Sequence, residues 1–166
     1  PNARIVIVGS TEGVSYGKPA INNSWKDVFL DEIEGDYTPE LVHFTGALPY
    51  DQFLHLLKIS SCHVYLTYPF VLSWSLLEAM STAVPIVGSS TKPIEEVIKH
   101  GESGLLVDFF SPNALADAVS NLLEDRPFAL ELGRQARKIV VDRFSLQHCV
   151  PNQLSLMQLV ASGALS

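Results

Sequence analysis

Short runs of β-branched and apolar residues recur along the chain, each followed by a longer stretch of helical periodicity. That alternation restricts the fold more than any other feature. The runs are Ile5-Val6-Ile7-Val8, Val42-His43-Phe44, Val64-Tyr65-Leu66, Ile86-Val87 and Leu105-Leu106-Val107. Several are apolar without alternation, as expected of strands covered on both faces, the situation in parallel sheets, whose crossover connections lay helices on each side. Between the runs, Ser24 followed by Asp27 resembles an N-cap pair, with Trp25, Val28, Phe29 and Ile33 as an apolar stripe behind it. Pro49 suits the first position of a helix reaching Ser60, because the N–H it lacks would find no partner there. Ser111-Pro112 opens another helix, in which Leu115, Ala118, Val119, Leu122 and Leu123 fall on one face. Two further helical stretches, about Phe128 to Arg143 and Leu146 to Ser162, follow without an intervening strand. The order β-α-β-α-β-α-β-α-β-α-α predicts an α/β fold, a Rossmann-like parallel sheet flanked by helices.

Composition narrows the class. The 166 residues are 47% apolar and 17% charged, enough to bury one core, and no internal repeat, low-complexity tract or domain boundary stands out. A single domain over residues 1–166 is expected. No run approaches the roughly 18 apolar residues that cross a bilayer, so no transmembrane segment is expected, and no basic-then-apolar leader is seen. The two cysteines, Cys62 and Cys149, lack companions at metal-ligand spacing and read as inert buried thiols in a reduced, cytoplasmic setting. The five histidines form no ligand pair, so neither zinc nor another metal is expected. A net charge of -7, from 11 basic and 18 acidic residues, opposes binding to nucleic acid, which needs basic groups against phosphates. Asp27, Asp31, Glu32, Glu34, Asp36 and Glu40 read as a solvated helix face and its loop. The chain opens with Pro1 directly ahead of a strand, which suggests a piece of a longer protein.

Chemistry is expected where strands run into helices, because open α/β sheets bind ligands at strand C-termini. The long Gly9 to Asn23 stretch follows the first strand, but Gly9-Ser10-Thr11-Glu12-Gly13 has Thr11 where a dinucleotide fingerprint needs its second glycine. A plain strand-exit turn and a ligand-facing loop both remain open there. Thr67 to Met80 runs from a strand into a helix beginning near Ser73 to Ser75. Unpaired N–H groups at such a helix start attract a pyrophosphate, and the Ser73 and Ser75 hydroxyls add donors. Ser75-Leu76-Leu77-Glu78 also reads as a capping box, and pattern alone favours that role for Glu78 over ligand binding. The turn Phe44-Thr45-Gly46-Ala47-Leu48-Pro49 could meet the edge of a flat heterocycle or serve as an ordinary connection. Ser89-Ser90-Thr91-Lys92-Pro93 leads into a helix with Glu95 and Glu96 in its first turn; Lys92 reads as a solvated lysine in preference to a phosphate ligand.

Glu78-Ala79-Met80 followed by Pro85-Ile86-Val87 resembles the E-A-M-A-x-G-x-P-V-V core of glycosyltransferase family 4, of the GT-B fold. Val42-His43-Phe44-Thr45-Gly46, Glu96-Val97-Ile98 and Gly101 through Gly104-Leu105-Leu106-Val107-Asp108 match the same family in order, from about Arg4 to Phe144. The resemblance implies the C-terminal, donor-binding member of two Rossmann-like domains, with the N-terminal acceptor domain absent from this chain. It implies a ribose contact for Glu78, which shifts the balance away from capping. It places the diphosphate and donor sugar against Ser73, Trp74 and Ser75, and the base against Phe44, Thr45 and Gly46. Gly9, Phe70, Val71 and Leu72 complete the expected donor-binding set. The chain departs from the family at three points. Phe70 stands at the first glutamate of the E-x7-E signature, Val71-Leu72-Ser73-Trp74 replaces G-F-G-L, and Ala83 stands in for the glycine. The segment T-Y-P-F-V-L-S-W-S-L-L-E-A-M resembles a recurring branch of the family. The family's basic pair lies upstream of the first strand here.

The resemblance thus implies a retaining, metal-independent glycosyltransferase acting in polysaccharide biosynthesis. It would move a hexosyl unit from a UDP-sugar, UDP-glucose above others, to a glycan or lipid-linked acceptor, with no cofactor. Peripheral membrane association of the full-length protein stays open. The alternatives are a GT-B-like sugar-nucleotide epimerase, which needs an acid/base pair not evident here, a non-catalytic nucleotide-binding module, and an NAD-dependent oxidoreductase.

Overall fold

The structure, a computed structural model, describes residues 3–11, 18, 20, 21, 24–68 and 71–163. It divides into two compact units, Pro1–Phe53 and Leu54–Ser166.

The first unit holds β1 (Ile5–Val8), α1 (Trp25–Glu32), a 3-10 turn at Pro39–Leu41 and β2 (Val42–Gly46). β1 and β2 run parallel, with Ile5 opposite Val42 and Ile7 opposite Phe44; a register shift after Ile7 sets Val8 beside Gly46. Ser24 caps α1 in a complete capping box with Asp27, as the sequence predicts. The six acids from Asp27 to Glu40 are all exposed, again as expected. Burial differs from expectation. None of the described residues in this unit is buried. Ile5 is 53% exposed in β1, and the Trp25, Phe29 and Ile33 stripe of α1 is likewise open. An apolar strand is covered on both faces only where helices close on it, and among the described residues three of the four in β1 remain exposed.

The division between units falls within α2 (Tyr50–Ile59). Pro49 sits just ahead of that helix, its carbonyl accepting from the Phe53 N–H at 2.9 Å. The second unit continues with β3 (His63–Tyr65), α3 (Trp74–Ser81), β4 (Ile86–Ser89), the short α4 (Lys92–Glu95) and β5 (Leu105–Val107). Three helices follow, α5 (Pro112–Glu124), α6 (Arg126–Phe144) and α7 (Leu146–Ala161). The sheet is parallel in the order β3-β4-β5. Its middle strand β4 is buried at every position. Val87, Leu105, Leu122, Ala129 and Leu132 form a core cluster, with Leu115, Ala118 and Val119 of α5 packed against it. The periodic face read from the sequence is therefore the face that meets the sheet. Full burial of Leu122 alone contributes about 2 kcal/mol.

α3 is held by α6 more closely than side chains alone would allow. A Cβ at Gly133 would lie 2.1 Å from the Ala83 carbonyl oxygen, so glycine lets the α6 backbone touch the turn after α3. Arg137 of α6 donates to the Ser81 carbonyl and satisfies one of the acceptors that a helix C-terminus leaves open. Ala83 itself adopts φ +62°, the left-handed conformation favoured by glycine, at the position where the family motif carries glycine.

Both cysteines are free and half-buried, not fully buried as expected. Burial still pushes the Cys62 thiol up to about 11, which keeps it protonated and inert. No described helix is long and apolar enough to cross a membrane.

Candidate functional site

In the second unit, the chain leaving β3 turns into α3 at the C-terminal edge of the parallel strands. Ser73 is the N-cap, extended at φ -82° and ψ 146°, and its hydroxyl accepts from the Ser75 N–H at 3.3 Å. The Ser73 N–H donates to the Tyr65 hydroxyl at 3.1 Å, and the Leu76 N–H to the Ser73 carbonyl at 3.2 Å. Among the described residues, the Trp74 N–H has no partner. No acidic side chain sits in the first turn, so the partial positive charge of the helix start is not neutralised locally.

The capping-box reading of Glu78 does not survive. With Ser73 as N-cap, the third helical residue is Leu76, and Glu78 lies two positions beyond the place from which a carboxylate returns to the cap. Glu78 is half-buried, and its carboxylate takes no hydrogen bond from the described residues. Leu76, Ala79 and Met80 of α3 are buried and fix the helix against the core. Ser75 and Leu72 are half-buried, while Val71 and Trp74 are exposed, Trp74 at 80%. Phe70, expected within this group, lies outside the described residues.

A buried hydroxyl fixes the approach to this turn. Ser89, fully enclosed at the end of β4, accepts from the Thr67 N–H at 3.0 Å and donates to the Thr67 carbonyl at 2.8 Å.

The first unit brings together the other expected residues by themselves. Gly9 and Gly46 end the two paired strands, and the Gly9 N–H donates to the Gly46 carbonyl at 3.0 Å. Both have positive φ, +144° and +70°, which a side chain would resist. The Thr45 hydroxyl donates to the Gly46 carbonyl at 3.0 Å, and the Lys26 ammonium lies 4.6 Å from the Phe44 ring centre. Most of the loop from Glu12 to Asn23 lies outside the described residues.

Lys92 is a surface lysine, as read from the sequence. It pairs with Glu95 at 2.9 Å, and Glu95 also accepts from the Ser90 hydroxyl at 2.8 Å. The hydrogen bond to Glu95 raises Lys92 above the ordinary lysine value, and the same bond lowers Glu95. At the opposite end of β3, burial holds His63 below the ordinary histidine value, with its Nε2 enclosed and unpaired. No group of three or more His, Cys, Asp or Glu is placed to share a metal ion among the described residues.

Three supporting residues escaped sequence reading: Tyr65, Gly133 and Arg137. Tyr65 lies 8 residues before its partner Ser73, and Arg137 lies 56 residues after Ser81, distances at which no local pattern signals a contact.

The sequence model of the family "Glycosyl transferases group 1" matches residues 1–139. N-acetyl-alpha-D-glucosaminyl L-malate synthase of Bacillus anthracis is 32% identical over 100 residues, covering 60% of this chain and 26% of the relative's length. A GDP-mannose-dependent alpha-(1-6)-phosphatidylinositol monomannoside mannosyltransferase of Mycobacterium tuberculosis (strain CDC 1551 / Oshkosh) is 38% identical over 64 residues, 39% of this chain and 17% of its own. Among solved structures, Anabaena Alr3699/HepE in complex with UDP-glucose superposes with a TM-score of 0.77 at 19% identity, over 96% of this chain and 41% of that one. At that identity the likeness shows the shared fold, parallel sheets flanked by helices. The chain spans well under half the length of each.

Proposed function

The chain belongs to the group 1 glycosyl transferases, and from that premise we propose that it binds the nucleotide-sugar donor for retaining, metal-independent transfer of a hexosyl unit. The proposed donor is a UDP-sugar, UDP-glucose first, and the acceptor a glycan or a lipid-linked glycan engaged through a further domain. The observation that carries this reading is the placement of Glu78. It is a half-buried carboxylate one turn inside α3, released from capping and without a hydrogen-bond partner among the described residues. A carboxylate in that state suits the paired hydroxyls of a ribose, to which it can accept two charge-assisted hydrogen bonds. The helix start that precedes it, uncapped by any acid, suits a diphosphate. As the bond between the sugar and the diphosphate breaks, negative charge grows on the leaving oxygen, and fixed amide dipoles stabilise that charge without reorganising. In the first unit, Gly9, Phe44, Thr45 and Gly46 carry the separate proposal of contact with the base.

The test is calorimetric titration of the 166-residue chain with UDP-glucose, UDP, GDP-mannose, ADP and NAD. UDP-glucose should bind more tightly than UDP, chelator should leave binding unchanged, and the chain alone should show no measurable transfer. Glu78→Gln should weaken UDP-glucose about tenfold or more, with the melting temperature within about 3 °C of the parent. Unchanged affinity with a clear loss of stability would return Glu78 to a structural role. Preference for GDP-mannose, the donor in the mycobacterial relative's name, would keep glycosyl transfer and replace the donor.

A further inference from the structure

α6 carries a charge where its spacing calls for an apolar residue. Ala129, Ala136 and Arg143 stand one heptad apart, which on a helix is about two turns, so all three lie on one side. Ala129 and Ala136 are buried there, with Leu132 and Gly133 between them. Arg143 ends that stripe in the last turn, and its side chain reaches a main-chain atom of another segment. Its Nη1 donates to the Glu96 carbonyl at 3.2 Å. The Phe144 ring, 5.0 Å from the guanidinium carbon, limits where the group can swing. Glu96 is the C-cap of α4, and a helix leaves its last carbonyls open to such a donor.

That bond closes a loop of contacts within the second unit. Thr67, on the way into α3, is held by the Ser89 hydroxyl at both its N–H and its carbonyl. The Ser89 carbonyl accepts from the N–H of Thr91, the N-cap of α4, at 2.9 Å. α4 is joined to α6 through Glu96 and Arg143. α6 returns to the far end of α3 through Arg137, which donates to the Ser81 carbonyl, and through Gly133, which lies against Ala83. α3 is therefore gripped at its entry and at its exit, with Ser73 and Glu78 between the two grips. Arg143 is the link that joins them.

We propose that Arg143 is a positioning residue for the donor site, acting through α4 and Ser89 on the entry to α3 and through α6 on its exit. In an open series of contacts each joint relaxes by itself, whereas in a closed one a shift at any joint strains the rest. The helices between the joints are stiff enough to carry that strain. Ile94 of α4 and Leu76 and Met80 of α3 are fully buried, so neither helix tilts without disturbing a packed core. The choice of donor as the ligand rests on the glycosyl-transfer reading, whereas the loop of contacts does not.

Amide hydrogen exchange on the ligand-free 166-residue chain tests the link without a ligand. Arg143→Ala should speed exchange in α4 and, by about threefold, in the first turns of α3. Arg143 uses one nitrogen, so Arg143→Lys should restore most of that protection. In calorimetric titration Arg143→Ala should weaken UDP-glucose about threefold, and Arg143→Lys should bind nearly as the parent does. Ser89→Ala opens the loop elsewhere, so adding Arg143→Ala to it should cost little further affinity. Exchange changes confined to α4 and the end of α6, with donor affinity kept, would make Arg143 a local cap and overturn the proposal. A uniform rise in exchange over the whole second unit, or full additivity with Ser89→Ala, would overturn it as well. Failure of the parent chain to bind UDP-glucose, with the exchange response in α3 intact, would sink the donor reading and leave the coupling of Arg143 to α3 standing.

Discussion

α1 and α3 both begin at a serine, yet their N-termini are left in opposite states. At α1 the Asp27 carboxylate accepts from the Ser24 N–H at 3.2 Å while the Asp27 N–H donates to the Ser24 hydroxyl, so the helix start closes on itself and carries an acid. The bond to Ser24 also holds Asp27 below the ordinary carboxylate range. α1 buries none of its residues and relies on this local device. α3 has no acid in its first turn, leaves one amide unmatched among the described residues, and is kept in place by Leu76, Ala79, Met80 and the contact with α6. A helix anchored by packing does not need an acid in its first turn. Both helices are capped by a serine hydroxyl, but only α1 also carries an acid that neutralises the partial positive charge of its start.

The comparison can be broken at its anchor first. Gly133→Ala should cost roughly 3 kcal/mol in urea unfolding, because the new methyl meets a backbone oxygen that cannot swing aside, and donor binding should fall with it. Retained stability would mean that α3 does not depend on α6. Ala83→Gly acts at the same junction with the opposite sign. Relief of the left-handed strain, offset by the freedom glycine adds to the unfolded chain, should raise stability by roughly 0.5–1 kcal/mol, read as a higher thermal midpoint. The two caps sharpen the contrast. Ser73→Ala should cost up to about 1 kcal/mol and weaken UDP-glucose, whereas Ser24→Ala should increase hydrogen exchange in α1 alone and leave donor affinity untouched. Equal effects of the two changes on donor affinity would erase the distinction.

Much of this was legible in the residues. The five β-branched runs all became strands within a residue or two, and the α5 stripe faces the sheet as its spacing predicts. The misses share a physical cause, which is that tertiary contacts overrode local pattern. β3 takes in His63 and drops Leu66, because the Thr67 backbone pairs with a side chain and leaves the strand ladder. Ser75-x-x-Glu78 imitates a capping box, but the Tyr65 hydroxyl receives the Ser73 N–H and the helix starts two residues earlier. The apolar residues of β1 and α1 look like core in sequence, yet among the described residues they are exposed or at most half-buried, since periodicity reports a face suited to burial without supplying the partner that buries it. The strand-to-helix turn ahead of α3 is visible in the sequence, but Tyr65, Gly133 and Arg137, which hold that helix, are not.

The Ser89 hydroxyl, bonded to both the N–H and the carbonyl of Thr67, counterfeits one further rung of the β3–β4 ladder. Main-chain pairing stops at Tyr65 and Gly88, and from there a side chain sets the gap between the strands. The gap is therefore a property that one residue can tune. Alanine would unhook the rung, leaving the chain ahead of α3 free to drift. Threonine would keep the hook and crowd an enclosed strand end. A single oxygen thereby acts as the spacer that sets how far the sheet opens before the α3 turn begins.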